Sequence, residues 1–199
     1  MKSLKIILFV TFFLTVITLN AQEKKATFGV KAGLNLTDIT SDKGNYNNTK
    51  TKAGFHAGIT LDYAFTPRWY LLTGLEYTSK GVKIELSPAD QDVTAAYVQL
   101  PVSAGYKFQV SEDMAILVSA GPYFAYGIHG KIKQGSYEQD TFGDITLKRF
   151  DSGMNLGVAL EWRKLCFSLG GELGFVNVMQ KNNNEANTKN STLSVGYKF

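Results

Sequence analysis

The sequence predicts an all-β protein: an eight-stranded antiparallel up-and-down transmembrane β-barrel that follows an N-terminal signal peptide. Three observations carry this expectation. Apolar residues recur at every second position along several stretches. The last nine residues show it most plainly: Leu193, Val195, Tyr197 and Phe199 share one face of an extended chain, and Thr192, Ser194, Gly196 and Lys198 share the other. The connections between such stretches alternate between long and short. The face opposite the apolar one collects charge and glycine.

Composition agrees with strands and turns. Among 199 residues there are 19 Gly but 4 Pro, with 10 Tyr and 13 Phe, and only 19% of the chain is charged. The formal net charge is +4; without Lys2 and Lys5 it is 19 basic against 17 acidic residues, or +2. That field is too weak to argue for a nucleic-acid partner. A single cysteine, Cys166, excludes an internal disulfide and a multi-cysteine metal cluster.

Lys2 and Lys5 precede an uncharged apolar run from Ile6 to Leu19, and Asn20-Ala21 offers a small residue for cleavage before Gln22. This layout predicts a signal peptide over residues 1–21 and a barrel domain over residues 22–199, exported from the cytoplasm. The alternative is an uncleaved membrane anchor, but a run of roughly 14 residues falls short of the ~20 that span a bilayer as a helix.

The strands follow in order. Phe28, Val30, Ala32, Leu34 and Leu36 mark the first, about Thr27–Leu36, and a polar loop from Thr37 to Thr51 follows it. Phe55, Ala57, Ile59, Leu61, Tyr63 and Phe65 mark the second, about Lys52–Phe65, closed by the turn Thr66-Pro67-Arg68. The third, from Trp69 to about Leu86, keeps Trp69, Leu71, Thr73, Leu75 and Tyr77 in phase. Val82, Ile84 and Leu86 then continue in the opposite phase, which predicts a one-residue bulge near Gly81. A polar loop, Ser87–Thr94, leads to the fourth, about Ala95–Phe108, where Pro101 removes a ladder donor. The fifth, about Met114–Ile128, meets a second irregular point at Pro122. The longest loop, Gly130–Lys148, comes next. The sixth and seventh, about Arg149–Glu161 and Leu165–Val178, are separated by a short turn. An Asn-rich loop, Gln180–Asn190, precedes the eighth, Ser191–Phe199.

Long loops at one end and short turns at the other are expected of an outer-membrane barrel, with the long loops outside the cell. The strand ends beside the short turns are aromatic: Tyr63 and Phe65, Tyr106 and Phe108, Trp162, Tyr197 and Phe199, with Phe28, Trp69 and Phe167 starting the upward strands. They predict one interfacial girdle. Phe55, Tyr77, Phe124, Tyr126 and Phe175 predict a second at the other end.

Polarity separates a membrane barrel from a soluble lipocalin-like one, which would be a secreted lipid binder. Opposite the apolar face lie Lys31, His56, Asp62, Glu76, Lys107, Asp151, Glu161, Glu172 and Lys198. Thirteen of the 19 glycines share that phase, where they leave room for long side chains inside a narrow cylinder. A Lys or Arg turned to mid-membrane lipid would cost ~2–4 kcal/mol, so several would exceed a stability of ~5–15 kcal/mol. The charges are therefore expected inside, in a network around Lys31, Glu76 and Glu172 and a second layer of Lys107, Glu161 and Lys198. Eight strands leave an interior that side chains fill, so a wide pore is not expected.

Four stretches, Phe28–Leu36, Tyr97–Phe108, Asp151–Trp162 and the final S-V-G-Y-K-F, resemble the PorT-like outer-membrane β-barrel proteins, over roughly Ala26 to Phe199. The resemblance implies an eight-stranded barrel in the outer membrane of a Gram-negative bacterium. One member of that family is tied to protein secretion and gliding, a role that none of the four stretches carries over. The terminal strand also resembles the signal read by the barrel-assembly machinery, with one departure: Ser194 stands where that signal usually has glycine, and the glycine of this strand is Gly196.

The sequence points to no catalytic, cofactor-binding or metal-binding residues. His56 and His129 are the only histidines and lie far apart in sequence. Ser103, Ser119 and Ser168 face inward, but no spacing singles one out as a nucleophile. Cys166 reads as a small buried filler. The expected function is a non-enzymatic outer-membrane barrel serving a structural, adhesion or partner-docking role through its extracellular loops. Its expected partners are outer-membrane lipids, the assembly machinery at the C-terminal strand and an unknown protein at the loops. A narrow ion or solute channel, a barrel-embedded lipid hydrolase or acyltransferase, and the secreted lipocalin-like binder are the alternatives.

Overall fold

The computed structural model describes residues 25–41, 49–84, 91–135, 137–142, 148–175 and 186–199. The expected signal peptide, residues 1–21, lies outside the described residues. Among the described residues nine strands form: β1 (Ala26–Ser41), β2 (Thr49–Ala64), β3 (Trp69–Ile84), β4 (Gln91–Gln109), β5 (Met114–Gln134), β6 (Tyr137–Asp140), β7 (Phe150–Trp162), β8 (Leu165–Gly174) and β9 (Ala186–Lys198). Eight of them make the barrel, each antiparallel to its neighbour, in the order β1-β2-β3-β4-β5-β7-β8-β9. β9 pairs with β1 from Lys198 opposite Gly29 to Ala186 opposite Ser41, which closes the wall. A closed wall leaves no strand edge to hydrocarbon, where unpaired N–H and C=O groups would find no partner.

Alternation decides the polarity. Leu75 is 52% exposed and its neighbour Glu76 is 5% exposed. Leu34, Ile59, Leu156 and Leu169 point outward, while His56, Asp62, Asp151 and Glu161 are buried. Near the short turns the lipid-facing rings touch in pairs: Tyr63 with Phe65 at 5.3 Å, Trp69 with Tyr106 at 5.0 Å, Tyr106 with Phe108 at 4.7 Å and Tyr197 with Phe199 at 5.7 Å. At the other end Phe55 packs on Tyr77 at 5.5 Å. Both expected girdles are present.

Two expectations are corrected. The first half of the segment Gly130–Lys148 is not loop. β5 runs on to Gln134 and turns back into the short strand β6, paired from Gln134 opposite Tyr137 to Lys131 opposite Asp140. Gly135 at the turn has φ 56°, a left-handed conformation that glycine takes without a Cβ clash. β4 and β5 reach 19 and 21 residues, well beyond the ~9–11 that cross a bilayer, so the wall rises above the hydrocarbon.

The second correction concerns Gly81. The β3–β4 register runs without a break from Glu76 opposite Gln99 to Ile84 opposite Gln91, so there is no bulge at Gly81 on that side. Val82 is 1% exposed because it faces inward beside Thr78 and Lys80; the upper interior is apolar there. The register shifts elsewhere, in β2 between Thr51 and His56 and in β5 at Ile128, which has no partner between the pairs Ala96–His129 and Tyr97–Gly127. Ile128 and His129 are exposed in succession, so the alternation resets and Lys131 and Lys133 face outward.

The two prolines do interrupt the ladder, as expected. Pairing of β4 with β5 skips from Pro101 to Ala104, opposite Gly121 and Pro122. Side chains supply the missing donors. Thr73 Oγ1 donates to the Pro101 carbonyl at 2.7 Å, and Asn155 Nδ2 donates to the Pro122 carbonyl at 3.2 Å. Thr73→Val keeps the shape and removes the donor, so it should lower unfolding stability in lipid vesicles by about 1–3 kcal/mol, whereas Thr73→Ser should leave it nearly unchanged. Urea titrations followed by the fluorescence of Trp69 and Trp162 would measure the difference.

Candidate functional site: the barrel interior and its mouth

The inward face of each strand supplies one rung of a polar column. Nearest the short turns, Lys198 pairs with both Asp62 and Glu161, and Lys107 pairs with Glu161 at 2.8 Å. The Lys107 ammonium also lies 4.2 Å from the centre of the Tyr70 ring. The expected layer of Lys107, Glu161 and Lys198 is therefore assembled, with Asp62 as a fourth member. The middle rung is Lys31 on Glu76, at 2.8 Å. Glu172 does not join that pair, contrary to the sequence-based expectation. Its carboxylate is held by Lys80 at 2.8 Å, by Gln99 Nε2 at 2.6 Å and by Asn190 Nδ2 at 3.0 Å. Gln99 completes the triangle by accepting from Lys80 at 3.1 Å. Thr37 donates to Asn190 at 3.0 Å.

His56 lies between these rungs. Asn35 Nδ2 donates to the Phe55 and Ser79 carbonyls and to Thr78 Oγ1, at 3.2, 3.0 and 2.8 Å. That fixes Asn35 Oδ1 toward His56, 2.7 Å from Nδ1. Nδ1 must donate, so Nε2 accepts from Ser194 Oγ at 2.7 Å. A Cβ on Gly33 would press on the His56 ring, so glycine is needed there. The order Ser194, His56, Asn35 follows that of nucleophile, base and orienting group in acyl hydrolases. The setting differs: all three side chains are buried, and the wall around them is continuous. The chain of hydrogen bonds ties β9, β2, β1 and β3 together. The serines singled out from sequence, Ser103, Ser119 and Ser168, do not approach His56. They line a cavity of about 160 Å³ together with Cys166. A second cavity of about 120 Å³ lies beside Ser194, Glu76 and Glu172. Each is room for a few waters, well short of the ~300–1,000 Å³ that a small-molecule site takes. His129 is on the outer wall, stacked on Tyr77 at 6.2 Å, whereas His56 faces the interior.

Above Lys80 the interior turns aromatic. Ala95, Tyr97, Tyr123, Ala125 and Phe142 form a buried cluster. The Phe142 ring meets Tyr97 edge-on at 5.5 Å and fills the space a side chain at Gly127 would take. Thr141 anchors it, donating from its hydroxyl to the Thr94 carbonyl at 2.7 Å and from its N–H to the Gly130 carbonyl at 3.0 Å. Arg149 lies 5.4 Å from the same ring. The Lys80 ammonium faces the Tyr123 ring at 4.8 Å. Tyr123 OH donates to Asp151 Oδ2 at 3.2 Å, and Asp151 Oδ1 has no hydrogen-bond partner among the described residues. No group of three or more His, Cys, Asp or Glu among the described residues is arranged to hold a metal ion.

A family model described as "Outer membrane protein beta-barrel domain" matches residues 20–198. The chain belongs to that family. It is an integral protein of the cell outer membrane. Among solved structures it is similar to OprG of Pseudomonas aeruginosa, with 12% identity over 89% of this chain and 97% of that one and a TM-score of 0.52. It is also similar to Neisserial surface protein A, with 14% identity over 87% and 99% and a TM-score of 0.51. For Ail of Yersinia pestis the values are 15%, 88%, 99% and 0.46. At these identities the likeness is one of fold. No curated protein matches the sequence.

Lys80, Gln99, Tyr97, Tyr123 and Asn35 are interior residues that sequence reasoning missed. Each sits on the inward phase of its strand, and Lys80 follows Glu76 by four residues on the same face. Lys80→Met should destabilise the barrel by about 3–5 kcal/mol because it strands the Glu172 carboxylate in a dry interior. Adding Glu172→Gln should restore most of that loss. Unfolding of the two variants in lipid vesicles checks both figures.

Proposed function

We propose that this barrel is a non-enzymatic, non-conducting outer-membrane anchor that holds a rigid extracellular surface for contact with a partner. The closed column supports this reading most. Three charged rungs cross the interior, and Phe142 stoppers the extracellular mouth against Tyr97 and Tyr123. The cavities between the rungs are water-sized; they adjoin around Lys31, Glu76, Ser119 and Asn155, and the ionic rungs of Lys198 with Glu161 and of Lys80 with Glu172 lie below and above them.

The extracellular wall is built differently. The β5–β6 hairpin carries Lys131 paired with Glu138, with Lys133 3.5 Å from the same carboxylate. The hydrogen bond from Lys131 holds the Glu138 carboxyl below the ordinary carboxylate range. Tyr137 stands 66% exposed beside them. An exposed aromatic ring is the kind of anchor on which contact surfaces centre, and the charged pairs around it suit a polar rim.

Recordings in planar bilayers should show no unitary conductance steps for the native chain, and steps should appear when Phe142→Ala is combined with Lys80→Ala. Stable steps from the native chain would favour the narrow-channel reading. Cross-linking on intact cells should capture a neighbour through the hairpin, and Tyr137→Ala should abolish that capture.

A further inference from the structure

The rim beside the short turns carries an unpaired cation that neither the interior nor the extracellular surface explains. The turn from β2 to β3 places Pro67 and Arg68 against the last residues of β4. A cavity of about 520 Å³ lies between them, lined by Pro67, Arg68, Tyr106, Lys107, Phe108 and Gln109. Arg68 is exposed, and Nη1 donates to Tyr106 OH at 3.4 Å. Other cations on this rim are differently placed: Lys164 lies over the Tyr197 ring at 5.7 Å, and the rest are paired. Arg163 pairs with Asp113 at 3.2 Å, and Lys107 and Lys198 are turned inward onto Glu161. Among the described residues Arg68 has no carboxylate partner.

What covers this site follows from the polarity of the wall. Trp69, Tyr106 and Phe108 run in one lipid-facing row directly beside Arg68, with ring contacts at 5.0 and 4.7 Å. Trp69 and Phe108 are each about half exposed, so bilayer lies against them. Such aromatic rows sit at the headgroup level of a membrane. Arg68 therefore stands where lipid phosphates stand. A guanidinium is the side chain best suited to a phosphate: it is always charged, weakly hydrated and forked, so it can give two parallel hydrogen bonds. The Tyr106 hydroxyl beside it offers a third.

We propose that Arg68 and Tyr106 bind the phosphate of one glycerophospholipid of the periplasmic leaflet, whose acyl chains lie along Trp69 and Phe108. The lipid is a resident of the site and not part of the general annulus, because this turn brings a cavity and a guanidinium without a carboxylate partner together. The source is a membrane lipid and not a free anion, since the row below the guanidinium is greasy and continuous with the bilayer face.

The test folds the full barrel into vesicles of phosphatidylethanolamine and phosphatidylglycerol, transfers it to mild detergent and weighs it by native mass spectrometry. The native chain should keep a bound phospholipid. Arg68→Gln should lower its occupancy by roughly five- to tenfold, as expected for losing a charge-assisted bond. Lys164→Gln changes a rim cation that lies over Tyr197 instead, and should leave occupancy unchanged. Heat-modified gel mobility confirms that each variant is folded. The proposal is overturned if the native chain retains no lipid, or if both variants lose it equally, which would mark a generic charge effect. It is also overturned if inorganic phosphate displaces the lipid at millimolar concentration, which would mark a free-anion site.

Discussion

Hydrocarbon offers no hydrogen bonds, and the rest of this structure follows from that constraint. Every backbone group in the membrane must find a partner within the protein, so the strands close on themselves through β9 and β1. The same constraint explains Thr73 and Asn155. Two prolines open gaps in the ladder around β4 and β5, and two polar side chains fill them from neighbouring strands. It also explains why the charges lie inside and in opposite-sign pairs. A charge facing lipid would be costly, and a lone charge in the dry interior would cost nearly as much.

Among the described residues the column is satisfied almost completely, and the exception is informative. Glu172 collects three donors and Asn35 gives to three acceptors. Asp151 leaves one oxygen unpartnered at the boundary where the polar column gives way to the aromatic cluster. The interior is thus two materials end to end: ionic rungs toward the periplasm, and rings with small residues toward the outside. Glycine makes both possible, at Gly33 for the His56 imidazole and at Gly127 for the Phe142 ring.

Much of this is legible in the sequence because alternation is a local signal. Leu75 beside Glu76, or Leu160 beside Glu161, declares the orientation of a strand without reference to anything distant. The closed fold, both girdles and the rung of Lys107, Glu161 and Lys198 all follow from that. Partner choice across the barrel does not, because it depends on how strands stagger. Glu172 could reach either Lys31 or Lys80 as far as phase is concerned, and register awards it Lys80. The change of phase at Val82 implies a bulge only if every apolar residue faces lipid. Val82 faces inward, since the upper interior is itself apolar. The β6 hairpin has a turn signal in Gly135-Ser136, but the dense charge on both sides of it makes the segment look like loop.

The great length of β5 has a mechanical meaning. It is one strand from the periplasmic turn to the tip of the hairpin, flanked by β4 over nearly its whole course and by β7 and then β6 on its other edge. Ladder hydrogen bonds lie across the strand axis. A pull on the tip away from the cell therefore loads those bonds in shear, many at a time, and not one after another as in peeling. Tension applied at the cell surface is carried down a single strand into the full height of the wall.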